Sequence, residues 1–380
     1  MANKNDFLIF LFGNINYDGR VQRLLEVVEP LGAYDLLDSE NVKSSKEYGG
    51  WRREIKAFVK KGKITRHLYF WSAAIMEALR KHPKVVIGCD YFTALPALVA
   101  SRLAGAMLIY DAHELIIPEN GKRMCGRNFF WYILEKLIVK RADLVIAANQ
   151  DRSRMMKDHY GLPVLPTVMR NIPPSREDDV HATEVNDLYP DLLRRDASEK
   201  LILYQGGVSL ARGIERILYA LDFLPESYRF IIAGDGMDLP RLKKIGKRFE
   251  CKGRFTALGK IENRLMTSIA RFADVGIITY PFEGLNNIFC APNKLFEYAH
   301  AGLPVVATNQ PPLRRAIEAF RIGEVVTKTD SPRQIAQLLM KVAENKKDYQ
   351  QQIKLFLAAN RWEDEASRVR EAVVKVFKQE

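Results

Sequence analysis

Short apolar runs alternate along this chain with stretches whose apolar residues recur at helical spacing. "DFLIFLFGN" reads as a buried strand ending at Gly13. "GRVQRLLEVVEPLG" reads as a helix with Leu24, Leu25 and Val28 near helical spacing and Gly32 just past its end. "KVVIGCD", "AMLIYDAHE" and "LVIAAN" are further strands, and "TALPALVASRLAG", "FFWYILEKLIVKRAD" and "QDRSRMMKDHYG" are the helices that follow them. "PTVMRNIP" closes this first run. Residues 173–199 then lose the apolar period and gain proline and charge.

A second run begins with the strand "KLILYQGG" and continues through "YRFIIAGDG", "RFTALGK", "VGIITYP" and "PVVAT". The helices "IERILYALDFL", "DLPRLKKIGKRF" and "ENRLMTSIARFAD" lie between them. Continuous apolar strands that alternate with helices predict parallel sheets covered on both faces. The expected fold class is α/β, with two Rossmann-like doubly wound domains facing a central cleft. The expected boundaries are a first domain over 1–172, a linker region over 173–199, a second domain over 200–358 and a terminal helix over 359–380. Ligands of such sheets sit outside the carboxyl ends of the strands, so the cleft is the expected site.

The chain has 380 residues, enough for a sizeable core in two or three domains. The first apolar run, Phe7–Phe12, is too short for a signal peptide or a membrane span. Cys89, Cys125, Cys251 and Cys290 lack CxxC spacing, which fits reduced thiols in the cytosol better than a disulfide framework or a zinc site. The formal net charge is +12 and is unevenly spread: twelve Lys/Arg face only Glu47, Glu54 and Glu77 between Lys43 and Lys84. Within it, "WRREIKAFVKKGKITRHLYFWSAAIMEALRK" mixes cations with aromatics, as a surface lying on an anionic membrane does. A solvated helix with its aromatics in the core is the alternative. No nucleic-acid-binding module is visible, so no nucleic acid is expected as a partner.

The most informative stretch is "CAPNKLFEYAHAGLPVVATNQ", Cys290 to Gln310. Pro292 suits the first helical position, because its missing N–H would have no partner there. The amides that follow, with the helix dipole, favour an anion at the helix start. Lys294 adds a full positive charge, and Glu297 lies three residues on, on the same face. A diphosphate at the helix end and a ribose one turn deeper would use all of these groups. A plain surface ion pair would use two of them. No DxD sequence sits at a strand end to chelate a metal, so no metal and no further cofactor are expected; basic side chains and a helix terminus can neutralise a diphosphate alone. The absence of a Ser-His-Asp arrangement or closely paired acids argues against a hydrolase.

"NNIFCAPNKLFEYAHAGLPVVATNQPPLRRAI" resembles the donor segment of retaining GT-B glycosyltransferases of family 4 (glycosyl transferases group 1). "YQGGVSLARGIERILYAL", "FIIAGDG", "ALGKI", "ADVGIITYP", "YDGRVQRLLEVVEPLG", "YDAHE" and "KRADLVIAANQ" resemble other parts of that family, in the same order. The resemblance implies a nucleotide-diphosphate sugar donor, a UDP-sugar by preference, and a glycan or lipid-linked acceptor, in surface polysaccharide or lipopolysaccharide synthesis. It implies that Lys294 holds the diphosphate with Arg212, and that Glu297 holds the ribose. Gly206, Gly207 and Gly234 would let backbone approach the donor, and Gly259 and Ile261 would meet the base through the backbone. Gly13 would line the donor and acceptor side, although each glycine also fits an ordinary turn. Asn293 would sit at the phosphate end of the same helix.

His113 would approach the transferred sugar, and Asp18, Arg20 and Glu114 would meet the acceptor or brace its loop. The family's first glutamate has no counterpart at Phe289. Glu283 looping in, or Asn286 and Asn287, would replace it. His113, Arg212, Lys294 and Glu283 are thus the expected catalytic set. The implied location is cytoplasmic, against the inner face of the plasma membrane through the basic residues 43–84. A nucleotide-sugar epimerase of the same fold and a non-catalytic nucleotide- or glycan-binding protein remain open beside this reading.

Overall fold

A computed structural model describes residues 6–39, 51–54, 63–119, 122–174, 182–193, 196 and 198–377. The chain divides into two compact units, Met1–Asn171 with Glu363–Glu380, and Ile172–Trp362.

The first unit is built on seven parallel strands: β1 Phe7–Leu11, β2 Tyr34–Asp38, β3 Trp51–Glu54, β4 Val85–Cys89, β5 Met107–Ala112, β6 Leu144–Ala147 and β7 Thr167–Val168. Their order is β3-β2-β1-β4-β5-β6-β7. The central strands β1 and β4 read FLIFL and VVIGC and are buried at every position. That is the pattern of a sheet covered on both faces. β2 has only two aliphatic residues, Leu36 and Leu37, between Asp35 and Asp38. Both acids are buried; Asp35 is held by an ion pair with Lys81. The helix expected over 19–32 stops as an α-helix at Val28 and tightens into a 3₁₀ turn at Glu29–Leu31, where Pro30 cannot donate the next bond.

The terminal helix Trp362–Phe377 lies, from Glu363 on, in this first unit. Phe377 packs against Phe7, with ring centres 5.1 Å apart. Glu365, which is 1% exposed, accepts from the backbone N–H of Arg170 at 2.7 Å and from its guanidinium at 2.8 Å.

The second unit has six parallel strands: β8 Lys200–Gln205, β9 Tyr228–Ala233, β10 Phe255–Gly259, β11 Val275–Ile278, β12 Val305–Thr308 and β13 Gly323–Val326. They run in the order β10-β9-β8-β11-β12-β13. The direction of winding therefore switches between β8 and β11, which is where a doubly wound sheet opens its binding crevice. The segment expected as a linker carries two short helices, Ala182–Leu188 and Pro190–Leu193, and is part of this unit. Val185 and Leu192 are buried, so a segment that looks polar still contributes two apolar anchors.

Candidate functional site

In the second unit, four groups gather where the winding switches. Gly206 and Gly207 follow β8, and the helix Asn293–His300 follows β11. Pro292 stands one position earlier than expected. It is the N-cap, and Asn293 is the first helical residue, with no side chain capping the helix start. Lys294 is buried, 8% exposed. Its Nζ lies 4.3 Å from the centre of the Tyr204 ring and 6.0 Å from that of Tyr280. The Arg212 guanidinium lies over the same Tyr280 ring at 5.1 Å. Burial, and then the Arg212 charge, push the Lys294 ammonium down to about 7. Two cations are held together on aromatic faces, which is a site short of an anion.

The backbone around Lys294 is tight. Gly206 has φ 102°, and a Cβ there would come within 3.1 Å of the Lys294 Cε. A Cβ on Gly234 would sit 1.9 Å from the Gly206 carbonyl oxygen, so Gly234 is required to seat that turn. Gly207, in contrast, faces open space. Glu297 is one turn along the helix from Lys294 and half-buried. Gly259 adopts φ 78° at the end of β10, and the Ile261 side chain is buried, so this loop offers its backbone rather than a side chain.

Glu283 faces solvent. Its side chain is 79% exposed and lies 3.9 Å from Lys328. Asn286 and Asn287 form the short helix Leu285–Ile288, and Asn287 donates to the Glu283 carbonyl at 2.8 Å.

In the first unit a second cluster forms beyond β1, β4 and β5. Arg20 was expected to meet the acceptor or to brace its loop, and its contacts are those of a brace. It is 6% exposed and donates to both carboxylate oxygens of Asp111, at 3.0 Å and 2.5 Å, and to the Met169 carbonyl at 2.6 Å. Its donors are spent inside the fold, so it braces Asp111. Asp18 caps the helix Gly19–Val28 by accepting from the amides of Arg20 and Val21. Its other oxygen lies 3.9 Å from His113 Nδ1. His113 Nε2 is 3.1 Å from Asp111. Burial alone would lower the His113 imidazole, but the Asp111 charge and hydrogen bond carry it above its ordinary value. Burial likewise opposes Asp111, yet Arg20 and then His113 hold its carboxyl down to about 2. Glu114 is exposed, and Gly13 follows β1 in an ordinary conformation.

Cys89 Sγ, Asp111 and His113 offer ligand atoms within 4.8 Å of one another. They do not suit a cation, because the Arg20 guanidinium already occupies both Asp111 oxygens. Asp90, just past β4, went unnoticed in the sequence. It has φ 66° and ψ 166°, a region normally left to glycine, and its Oδ1 is buried without a hydrogen-bond partner. Burial pushes its carboxyl up to about 7, against the pull of His113. An aspartate directly after an apolar strand was the only available signal.

Of the basic segment 43–84, residues 43–50 and 55–62 lie outside the described residues. The helix Lys63–Lys81 is described and leaves Ile64 77%, Leu68 58% and Met76 62% exposed. Phe70 is buried, and the Trp71 indole donates to the Phe92 carbonyl at 3.0 Å. Part of the aromatic content therefore belongs to the core. Among the described residues no helix is long and apolar enough to cross a membrane.

No curated protein matches the chain by sequence. Solved structures share its fold at low identity. HepE of Anabaena, solved with UDP and glucose, is 14% identical over 97% of this chain and 99% of that one, with a TM-score of 0.76. Sucrose-phosphate synthase of Thermosynechococcus elongatus is 15% identical over 98% and 99%, with a TM-score of 0.74. WaaG, a glycosyltransferase involved in lipopolysaccharide biosynthesis, is 15% identical over 97% and 99%, with a TM-score of 0.71. The chain thus has the two-domain α/β fold of the GT-B glycosyltransferases, and residues 188–355, which hold Lys294, Glu297 and Arg212, match the family of glycosyl transferases group 1.

Proposed function

We propose that this protein transfers a sugar from a nucleotide-diphosphate sugar to a glycan or lipid-linked acceptor hydroxyl, with retention of configuration. The observation that carries the reading is Lys294. It is a buried ammonium at an uncapped helix start, where burial and the Arg212 charge outweigh the help of the Glu297 carboxylate. A diphosphate supplies the charge this site lacks. Glu297, one turn deeper, is assigned to the two ribose hydroxyls.

In the reaction the bond from the anomeric carbon to the diphosphate oxygen breaks, and negative charge grows on the leaving phosphate. Lys294, Arg212 and the free amides of the helix start stabilise that charge, the kind of contribution whose loss costs on the order of 10²–10³ in rate. The acceptor oxygen bonds the anomeric carbon on the face the diphosphate leaves, and its proton passes to a leaving phosphate oxygen. His113, held by Asp111, is assigned to the sugar.

A UDP-sugar is the favoured donor, since HepE was solved with UDP-glucose. Surface glycan or lipopolysaccharide synthesis is the favoured pathway, by analogy with WaaG. The exposed Ile64, Leu68 and Met76, and Phe129 and Phe130 at 48% and 47%, favour a peripheral seat on an anionic cytoplasmic membrane face. The exposure of Glu283 keeps a non-catalytic nucleotide-binding protein as the second reading.

A thermal-shift screen with UDP-, GDP- and ADP-sugars tests the donor. Ligand that binds only the folded chain at 100 Kd adds about 2.7 kcal/mol. Stabilisation by one of these, lost in Lys294→Ala, supports the reading. No response to any sends it back. Turnover with the stabilising donor decides between the enzyme and the binding protein.

A further inference from the structure

A cavity of about 220 Å³ lies in the second unit beyond the carboxyl ends of β11, β12 and β13. Neither Lys294 nor Glu297 lines it. Its apolar walls include Leu210, Ile217, Val306, Val326 and Ile335. Three cations also line it, Arg212, Arg216 and Lys328. Arg216 is fixed by donating to the Thr327 and Asp330 carbonyls at 3.0 Å and 2.7 Å.

Two polar groups in these walls are left without partners. Thr279 is 6% exposed, and its Oγ1 is buried with no hydrogen bond among the described residues. Glu215 Oε2 is also buried and unpartnered. A buried polar group left in this state weakens the fold, because its lost hydration is not replaced. The neighbouring Thr308 shows the usual solution: its Oγ1 accepts from the Tyr280 amide at 3.0 Å. At Thr279 the fold gains nothing from the hydroxyl that valine, of the same shape, would not give.

We propose that this cavity binds a small polyol monophosphate, at a site that adjoins the Lys294 anchor and shares Arg212 and Tyr280 with it but not Lys294 or Glu297. The phosphate takes the cationic rim, the hydroxyls satisfy Thr279 and Glu215, and the carbon skeleton lies on the aliphatic floor. The volume is below the roughly 300 Å³ where pockets for drug-sized ligands begin, which suits a monosaccharide or shorter polyol rather than a nucleotide.

The test is calorimetric titration of the full-length protein with glucose 1-phosphate and glycerol 3-phosphate, with inorganic phosphate and glucose as single-feature probes. Saturable binding of either phosphorylated polyol is expected. It should persist in Lys294→Ala and weaken by about tenfold, ~1.4 kcal/mol, in Thr279→Val and in Glu215→Gln. Unliganded Thr279→Val should melt at or above the wild-type temperature. The proposal is overturned by any of four results. These are no saturation at millimolar ligand, equal affinity for inorganic phosphate, loss in Lys294→Ala but not in Thr279→Val, or a lower melting temperature of Thr279→Val, which would give the hydroxyl a partner within the fold. Because Lys294→Ala removes the nucleotide anchor and Thr279→Val does not, failure here and failure of the transferase reading give different patterns.

Discussion

Lys294 Nζ rests 4.3 Å from the centre of the Tyr204 ring, the residue whose own hydroxyl donates to the Gly207 carbonyl at 2.6 Å. The ring holds both the ammonium and the turn after β8. In the free protein burial and Arg212 bring this lysine down to about 7. A bound diphosphate favours the charged form and raises it again.

Donor binding above neutral pH should therefore take up a proton. The free site is charged below pH 7 and largely neutral above it, so affinity for UDP should fall as pH rises, approaching tenfold per unit while the bound form stays protonated. Titrations in two buffers of different ionisation heat check this. Identical heats at pH 8 would mean the lysine does not change charge. Lys294→Met should remove both the uptake and most of the affinity.

Glu297→Gln should raise the donor KM by about tenfold, the worth of ~1.4 kcal/mol, with a smaller effect on kcat. An unchanged KM would separate Glu297 from the ribose.

Arg20 and Asp111 form a buried pair, 6% and 0% exposed. Arg20→Ala strands the Asp111 charge and should destabilise by about 3–5 kcal/mol. Asp111→Asn should bring the His113 pKa down, because the charge that offsets burial is gone. NMR titration of the imidazole reads this directly, and an unmoved pKa would reject Asp111 as its partner.

Two buried carboxyls set a pH dependence of stability. Asp90 is pushed up to about 7 and Glu135 up to about 8, each mainly by burial. Their folded values exceed their ordinary ones, so between about pH 4 and 8 the folded chain binds more protons than the unfolded chain. Stability should thus decline as pH rises through that window. Glu135→Gln should flatten the decline measured by urea unfolding. Asp90→Gly removes the carboxylate and the strained φ together, and should stabilise by about 1–3 kcal/mol at pH 7. A loss of stability would give the carboxylate a structural partner.

Reversing Lys60, Lys61 and Lys63 to glutamate should release the protein from anionic vesicles, as each cation near such a surface is worth roughly 1 kcal/mol. Phe129→Ser with Phe130→Ser should weaken the same binding without altering its salt dependence. Unchanged co-sedimentation in both would remove the membrane from the proposal.

The central strands and the helix Asn293–His300 were legible because their signals are local. FLIFL and VVIGC are apolar at every position, and Lys294 and Glu297 stand three apart. β2 was not legible: Asp35 and Asp38 outweigh Leu36 and Leu37 until Lys81, far along the chain, is seen to neutralise one of them. β13, GEVV, is short and charged. For Arg20 the sequence left acceptor contact and bracing open, because its partners Asp111 and Met169 are distant along the chain. Asp90 shows only its place after an apolar strand, and Thr279 carries no pattern at all. Their meaning is a missing partner, which only packing reveals.

Glu365 holds Arg170 across an interval that contains the whole of Ile172–Trp362. A ribosome making this chain finishes the second unit before it supplies the last helix of the first. The amino-terminal half must then wait on the nascent chain with the Arg170 and Phe7 surfaces uncovered. Stop codons or proteolytic trimming near Trp362 would leave that half exposed to chaperones and proteases, however well the other half had formed.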